Sequence, residues 1–111
     1  MAIETTEYKR CTVVKMDGRV DSNTGDSLMD EFKNVQDQGV YKIVFDMTDV
    51  DFMSSKGWWV LIQTQKSCKR YNRGEVILAN VPKKILDSLD LVGMSHYFQT
   101  FDDIVSAVGY F

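Results

Sequence analysis

The chain has 111 residues, of which 44% are hydrophobic and 26% charged, and this composition is typical of one globular domain. Its formal net charge is −3, and this acidic balance argues against nucleic acid as a partner, because binding to a phosphate backbone normally needs a basic surface. The longest apolar run, residues 58–62, is far shorter than the roughly 20 residues of a membrane-spanning helix, so no membrane insertion is expected. The charged amino-terminal residues lack the apolar core of a signal peptide, and a cytoplasmic location is expected.

Residue types that commonly hold metals are scarce. Cys11 and Cys68 are the two cysteines, and His96 is the single histidine. A cytoplasmic location favours two buried, reduced thiols over a disulfide between them. No cysteine–histidine spacing typical of zinc is present, so neither a metal site nor a cofactor is expected.

The amino-terminal part of the chain predicts paired strands. The β-branched run 11–16 predicts a strand that ends at a turn formed by Asp17 and Gly18. Residues 3–8 predict an edge strand beside it, and residues 19–20 predict a short strand that leaves the turn as a hairpin.

Helices and strands alternate along the rest of the chain. The capping cluster 21–24 and the stripe of Leu28, Phe32 and Val35 predict a helix that ends at Gly39. A buried strand over residues 41–46 comes next and leads into an acidic loop over residues 47–51. A helix is then predicted from Ser55 to about Tyr71, closed by Gly74, and is followed by a strand over residues 75–79. The last predicted elements are a helix starting at Pro82 with Ile85, Leu86 and Leu89, a strand over residues 97–101, and a final helix opened by Asp102 and Asp103 with Ile104, Val105 and Val108. This alternation predicts an α/β fold, a single domain over residues 1–111 with a mixed, mostly parallel β-sheet of about four to six strands covered by about four helices.

The helix predicted from Ser55 has two different faces. At about 100° per residue, the face expected to lie on the core carries Trp58, Leu61, Ile62, Gln65 and Cys68. Trp59 falls on the opposite, polar face, one turn from Ser55. Because exposed aromatic side chains often become binding hot spots, Trp59 is a candidate anchor for a partner. The alternative is that Trp59 lies over a neighbouring loop.

Two adjacent serines, Ser54 and Ser55, lie between an extended segment and this helix. On residue chemistry alone, a serine at this place predicts an N-cap, whose hydroxyl accepts a hydrogen bond from a free backbone N–H at the helix start.

The residues around these serines resemble the phosphorylation loop of STAS domains, which occur in anti-sigma-factor antagonists and in the cytoplasmic ends of sulphate transporters. The matching segment is Phe52-Met53-Ser54-Ser55-Lys56-Gly57, where the antagonists typically read Phe-Met-Asp-Ser-Ser/Thr-Gly. Further segments resemble the family in the same order along the chain: Gly18-Arg19-Val20-Asp21 with Thr24, Lys42-Ile43-Val44-Phe45-Asp46, and Ile85-Leu86 through Leu91-Val92-Gly93 with Phe98 and Phe101. The resemblance spans residues 12–108.

The resemblance implies a phosphorylation-regulated protein-binding switch. Ser55 falls on the serine that the family phosphorylates. An anti-sigma factor or serine protein kinase is the implied partner, docked through the helix start around Ser55, with binding blocked by phosphate on Ser55 and restored by a serine phosphatase. The predicted partner-binding residues are Asp21, Asn23, Ser54, Lys56 and Trp59. Weak self-association or a hetero-assembly is left open.

Two positions depart from the family loop. Ser54 replaces the usual aspartate, and Lys56 stands where the family has a hydroxyl residue. A lysine in the first helical turn opposes the helix dipole, at a cost of up to about 1 kcal/mol. Two alternatives follow: Lys56 pairs with an acidic partner or with phosphate on Ser55, or it is a solvated lysine whose long stem carries the charge away from the dipole.

Two other classes of function are alternatives to the switch. The altered loop leaves open a scaffold subunit that keeps the fold without the switch, as in multi-STAS signalling assemblies or lipid-transport complexes. An enzyme is not expected, because the sequence has no glycine-rich phosphate motif and no nucleophile–base pair beyond Ser55 with the lone His96.

Overall fold

The computed structural model describes residues 2–91 and 93–111, and these form a five-stranded sheet, a separate two-stranded sheet and four α-helices. The strands are β1 (Ile3–Glu7), β2 (Thr12–Met16), β3 (Gly18–Val20), β4 (Lys42–Asp46), β5 (Val50–Met53), β6 (Glu75–Ala79) and β7 (Thr100–Phe101). The helices are α1 (Ser22–Asp37), α2 (Ser55–Lys69), α3 (Lys83–Leu91) and α4 (Ile104–Tyr110), with a short 3-10 turn, Arg70–Asn72, after α2.

The larger sheet has the order β1-β2-β4-β6-β7. Its edge strand β1 runs antiparallel to β2, and the remaining neighbours pair in parallel. The predicted mixed, mostly parallel sheet covered by four helices is therefore confirmed.

Both faces of the sheet are buried. Successive apolar side chains along each central strand point alternately into two hydrophobic clusters, one on each face of the sheet. Phe45 and Leu78 lie in the larger cluster, together with the apolar stripes of α1, α2 and α3. Val44 and Ile77 point to the other face, where α4 covers a smaller cluster that includes Ala107. Three helices thus cover one face and one short helix covers the other.

The predicted hairpin at the third strand is wrong. Strand β3 turns away from β2 and pairs in parallel with β5, with Gly18 opposite Val50 and Val20 opposite Met53. Gly18 has a φ of +82°, which glycine adopts without strain, and its N–H donates to the carbonyl of Asp49 at 2.9 Å. The turn signal was correct, but it redirects the chain into a second small sheet.

Two other predicted boundaries change. Val50 and Asp51, predicted as part of an acidic loop, belong to strand β5. The strand predicted over residues 97–101 is shortened to Thr100–Phe101, while Phe98 is buried in the turn before it. In both places the apolar pattern covers too few residues to predict where strand pairing begins.

The buried face of α2 differs from the predicted one. Leu61, Gln65 and Cys68 are buried as expected, but Trp58 and Ile62 are only partly buried. Val60 and Thr64 are buried in addition. The reason is that α2 packs against both the sheet and α1, so its covered arc is wider than one sheet-facing stripe.

The two cysteines are free and buried, which confirms the predicted reduced thiols. Burial raises the pKa of both thiols, so Cys11 and Cys68 stay protonated at neutral pH. Across the described residues, no helix is both long and apolar enough to cross a membrane.

Candidate functional site

The candidate site is built where two helices begin side by side. Because β3 and β5 are parallel neighbours, the helices that follow them, α1 and α2, start at the same edge. The N–H of Ser54 donates to the carbonyl of Val20 at 2.9 Å, and this bond ties one helix start to the strand that leads into the other. The positive ends of two helix dipoles therefore point to the same surface.

The two serines of the loop have separate roles. Ser54 is the N-cap of α2, and its hydroxyl accepts a hydrogen bond from the N–H of Gly57 at 3.3 Å. Ser55 is the first residue of α2 and is exposed. Within residues 2–91 and 93–111, the Ser55 hydroxyl has no hydrogen-bond partner. The N-cap predicted from residue chemistry is thus Ser54, and Ser55 is left free for other chemistry.

Lys56 bridges the two helices. Its ammonium lies 3.0 Å from a carboxylate oxygen of Asp26 on α1 and 4.5 Å from the centre of the Trp59 ring. Its stem crosses Gly25 so closely that a Cβ atom there would lie 2.8 Å from Lys56 Cγ. Within the chain, the lysine is thus paired with an acid and stacked on a tryptophan, and its pairing with an acidic partner or with phosphate on Ser55 stays a prediction.

Trp59 is exposed on the outer side of α2, as predicted, with 48% of its surface accessible. It borders a shallow groove between α1 and α2 that is also lined by Met29, Lys33 and Gln63. Trp59 does not lie over a neighbouring loop, which was the alternative prediction. Its role as a binding anchor stays a prediction.

A second exposed aromatic side chain lies on the other side of the loop. Phe52 of β5 is 41% accessible, and the guanidinium of Arg19 on β3 lies 4.2 Å from its ring centre. In the chain, Ser55 thus lies between Phe52 and Trp59. Each of these aromatic rings contacts a cation, Arg19 in the case of Phe52 and Lys56 in the case of Trp59. Cation–π contacts at exposed sites contribute on the order of 0.5–1 kcal/mol each.

Asp21 fixes the start of α1. Its carboxylate accepts hydrogen bonds from the N–H groups of Asn23 and Thr24, both at 3.0 Å, while the Thr24 hydroxyl accepts from the N–H of Asp21 at 2.9 Å. This reciprocal capping box satisfies N–H groups that have no partner inside the helix. The hydrogen bonds from the backbone of Thr24 and Asn23 lower the pKa of Asp21.

The loop before β5 is held by a buried acid. Asp46, at the end of β4, accepts hydrogen bonds from the N–H of Thr48 at 3.0 Å and from the side-chain amide of Asn80 at 3.4 Å. Asp49 in this loop forms an ion pair with Lys15 at 3.4 Å, and Asp51 is exposed. This loop therefore lies at the start of β5, at the opposite end of that strand from Ser55.

The structure brings the predicted site residues together in different ways. Asn23, Ser55 and Trp59 are exposed around the paired helix starts. Asp21 and Ser54 are partly buried caps, so their side chains are engaged within the chain. Sequence reasoning gave no role to Asp26, Arg19 or Phe52. The outward position of Phe52 had little signal, since β5 exposes two adjacent residues instead of alternating.

The arrangement suits binding and modification of a hydroxyl group. A phosphate on Ser55 would sit at the positive end of α2, where backbone N–H groups and the helix dipole favour an anion. In the part of the chain that the structure describes, no three His, Cys, Asp or Glu side chains are grouped so as to hold a metal ion.

Several solved structures superpose on this fold. The anti-sigma factor antagonist SpoIIAA in its unphosphorylated form superposes with a TM-score of 0.83 at 15% identity, covering 98% of this chain and 95% of that chain. SpoIIAA in the phosphorylated form, described as a Bacillus cell fate determinant, superposes with a TM-score of 0.77 at 16% identity, covering 98% of both chains.

Two further solved structures share the fold. An anti-sigma-factor antagonist (STAS) domain protein from Planctomyces limnophilus has a TM-score of 0.85 at 18% identity, covering 97% of this chain and 95% of that chain. A sulfate transporter family protein from Wolinella succinogenes has a TM-score of 0.70 at 20% identity, covering 88% of this chain and 81% of that chain. These identities are low, so the superpositions show a shared fold. The family model described as STAS domain matches residues 2–107, and the chain belongs to the STAS domain family.

Proposed function

We propose that this STAS domain is an anti-sigma-factor antagonist that binds an anti-sigma factor or serine protein kinase through the surface around Ser55. The observation that carries the proposal is the division of roles between the two serines. Ser54 caps α2 through the N–H of Gly57, while Ser55 is exposed with a free hydroxyl. Ser55 can therefore accept a phosphate without loss of the cap.

The proposed switch acts on the interface and leaves the fold intact. Phosphorylation adds about 1.5 to 2 negative charges, and the start of a helix tolerates an added anion well. An interface around Ser55 does not tolerate it, because the dianion would have to lose its bound water when a partner docks, and burying a charge without a paired partner is costly. A serine phosphatase would reverse the block, in the cytoplasm, and the domain itself would have no catalytic role.

Phosphorylation is tested by intact-mass measurement after incubation with ATP and a serine-kinase anti-sigma factor from the same genome. Wild type and Ser54→Ala are expected to gain the mass of one phosphate, and Ser55→Ala is expected to gain none. A gain in Ser55→Ala would move the modification to another residue, with Ser54 first in line. No gain in any variant would contradict the switch and favour the scaffold role.

Trp59 is proposed as an anchor of the same interface. Truncation of a hot-spot aromatic residue typically costs about 2 kcal/mol or more, so Trp59→Ala is expected to weaken partner binding by about 30-fold. Tyr110→Ala is the matched control, because Tyr110 on α4 is 46% accessible, against 48% for Trp59. If Ser55→Asp abolishes binding while Trp59→Ala leaves the affinity unchanged, the anchor role is wrong.

A further inference from the structure

A basic pocket lies at the end of the molecule opposite to Ser55, where strands β2, β4 and β6 begin. It encloses about 210 Å³. Its lining comes from the turn between β1 and β2, from the segment that enters β4, and from the loop after α2. We define the basic pocket by its charged and aromatic side chains, Tyr8, Lys9, Arg10, Tyr41, Lys42 and Arg73.

Four cationic residues line this pocket in a chain whose net charge is −3. Lys9 and Arg10 occupy the tip of the β1–β2 turn, which is closed by a hydrogen bond from the N–H of Tyr8 to the carbonyl of Cys11 at 2.8 Å. In the described parts of the chain, the ion pairs are Lys15 with Asp49 and Lys56 with Asp26. Lys9, Arg10, Lys42 and Arg73 therefore form no direct ion pair in these parts of the chain, although Lys42 lies opposite Glu75 in the pairing of β4 with β6.

Arg73 is held rigidly at the edge of the pocket. Its guanidinium lies 3.8 Å from the ring centre of Tyr41, and it donates to the carbonyls of Ser67 at 2.8 Å and Arg70 at 3.1 Å. The next residue, Gly74, lies so close to the backbone that a Cβ atom would be 2.2 Å from the carbonyl oxygen of Tyr41. These contacts fix the guanidinium, and no carboxylate of residues 2–91 or 93–111 forms an ion pair with it.

The loop that carries Arg73 contains backbone strain. Tyr71 and Asn72 have φ values of +60° and +56°, a conformation that is uncommon for residues other than glycine. Tyr71 is 77% accessible, so burial of its side chain does not explain why it adopts this conformation. Strain of this kind costs on the order of 1 kcal/mol or more per residue and concentrates at binding sites.

We propose that the basic pocket binds a phosphate group carried by a small molecule or by a lipid headgroup. A phosphate monoester brings close to two negative charges and three acceptor oxygens, which suit several converging donors better than a single carboxylate does. The pocket is smaller than the roughly 300–1,000 Å³ of sites that enclose whole drug-sized ligands, so it takes the charged group while the rest of the ligand stays outside.

This site is independent of the proposed switch. Ser55 is the first residue of α2, and the pocket adjoins the loop after the last residue, Lys69. A 15-residue helix spans about 22 Å at 1.5 Å per residue, which exceeds the Debye length of roughly 8 Å at physiological ionic strength. Ser55→Ala is therefore expected to bind phosphate as wild type does, and failure of either proposal leaves the other untouched.

The probe is glycerol 3-phosphate, titrated into the isotope-labelled protein while backbone amide signals are followed by NMR. Saturable shifts are expected in residues 8–11, 39–42 and 73. The double variant Lys9→Gln/Lys42→Gln is expected to weaken binding by about tenfold or more, because charge-assisted hydrogen bonds are lost. The control Lys83→Gln/Lys84→Gln removes the same charge from exposed positions of α3 and is expected to change the affinity by less than about twofold.

A second arm separates the two sources of phosphate. Vesicles of phosphatidylcholine, with and without phosphatidic acid, are sedimented with the protein. Binding that requires phosphatidic acid and is lost in Lys9→Gln/Lys42→Gln assigns the phosphate to a lipid headgroup. Saturable glycerol 3-phosphate binding without vesicle binding assigns it to a soluble compound. Equal weakening by both double variants, shifts outside the pocket, or no response to either probe would overturn the proposal.

Discussion

At the start of α2, two adjacent and chemically identical side chains differ in what they contribute to stability. Ser54 supplies the N-cap, so Ser54→Ala is expected to lower the free energy of unfolding by about 1 kcal/mol. Ser55→Ala is expected to change it by less than about 0.5 kcal/mol, because its hydroxyl is exposed. Urea denaturation of both variants measures the difference. Equal losses would mean that Ser55 also supports the helix.

Asp21 makes stability depend on acid pH. The hydrogen bonds from the backbone of Thr24 and Asn23 lower its pKa in the folded state below the ordinary value of 3.8. The Asp21 carboxyl therefore binds a proton less readily in the folded chain than in the unfolded chain. The ionised carboxylate stabilises the folded state fully at a pH above the unfolded pKa, and this stabilisation is lost as the pH falls through the folded pKa.

The pH prediction is tested with Asp21→Asn, which keeps a capping oxygen but cannot titrate. Its free energy of unfolding is expected to fall less steeply than that of wild type as the pH is lowered below about 4. Asp103, the N-cap of α4, has its pKa lowered by the backbone N–H of Ser106, so part of the wild-type dependence remains. Asp30→Asn, at an exposed position of α1, is the control. An unchanged slope in Asp21→Asn would contradict the assignment.

Gln65 joins three elements of the fold. Its side-chain amide donates to the carbonyls of Val76 at 3.0 Å and Tyr97 at 3.2 Å, and its carbonyl accepts from the N–H of Val76 at 2.6 Å. The side chain is fully buried, so water cannot replace these bonds. Helix α2, strand β6 and the segment before β7 are thus held at one point.

Replacement of Gln65 by leucine tests this joint. Gln65→Leu keeps the volume nearly unchanged but leaves buried backbone groups without partners, so the free energy of unfolding is expected to fall by about 3 kcal/mol. Gln63→Leu on the same helix is the control, since Gln63 is partly exposed and borders the open groove near Trp59. Chemical denaturation measures both, and similar losses in the two variants would contradict the role of Gln65.

Prediction from sequence succeeded where an element is long and its pattern regular. The stripe of Leu28, Phe32 and Val35 fixed α1, and the apolar runs fixed β2, β4 and β6. It failed at β3, because three residues carry too little periodicity to choose between a hairpin and a parallel partner more than 25 positions away. The Lys56–Asp26 pair was missed for a related reason, since it depends on how closely α1 and α2 approach at Gly25.

The candidate site could be predicted in part. The family resemblance pointed to the helix start at Ser55, which is exposed in the structure, and helical periodicity placed Trp59 on the outer face of α2. The contact of Arg19 with Phe52 could not be predicted, because it requires the pairing of β3 with β5. Site residues that lie in one continuous segment can be predicted from the sequence, whereas contacts between residues brought together by strand pairing cannot.

Over the whole molecule, the two faces of the sheet are protected very unequally. Helices α1, α2 and α3 cover the larger cluster, whereas the seven residues of α4 cover the smaller one. The smaller cluster still contains fully buried side chains from the central strands, including Val44 and Ile77. A defect in α4 should therefore destabilise the sheet itself and not the carboxyl-terminal helix alone.

A buried charge in α4 tests this dependence. Ala107 is fully buried against the sheet, so Ala107→Asp places an unpaired carboxylate in the smaller cluster and is expected to lower the free energy of unfolding by more than about 3 kcal/mol. Val105→Asp makes the same chemical change in the same helix at a position that is 83% accessible, and it is expected to cost less than about 0.5 kcal/mol. Amide hydrogen exchange then separates two outcomes. Loss of protection in β4 and β6 of Ala107→Asp would show that α4 stabilises the sheet, whereas loss confined to α4 would show that the sheet holds without it.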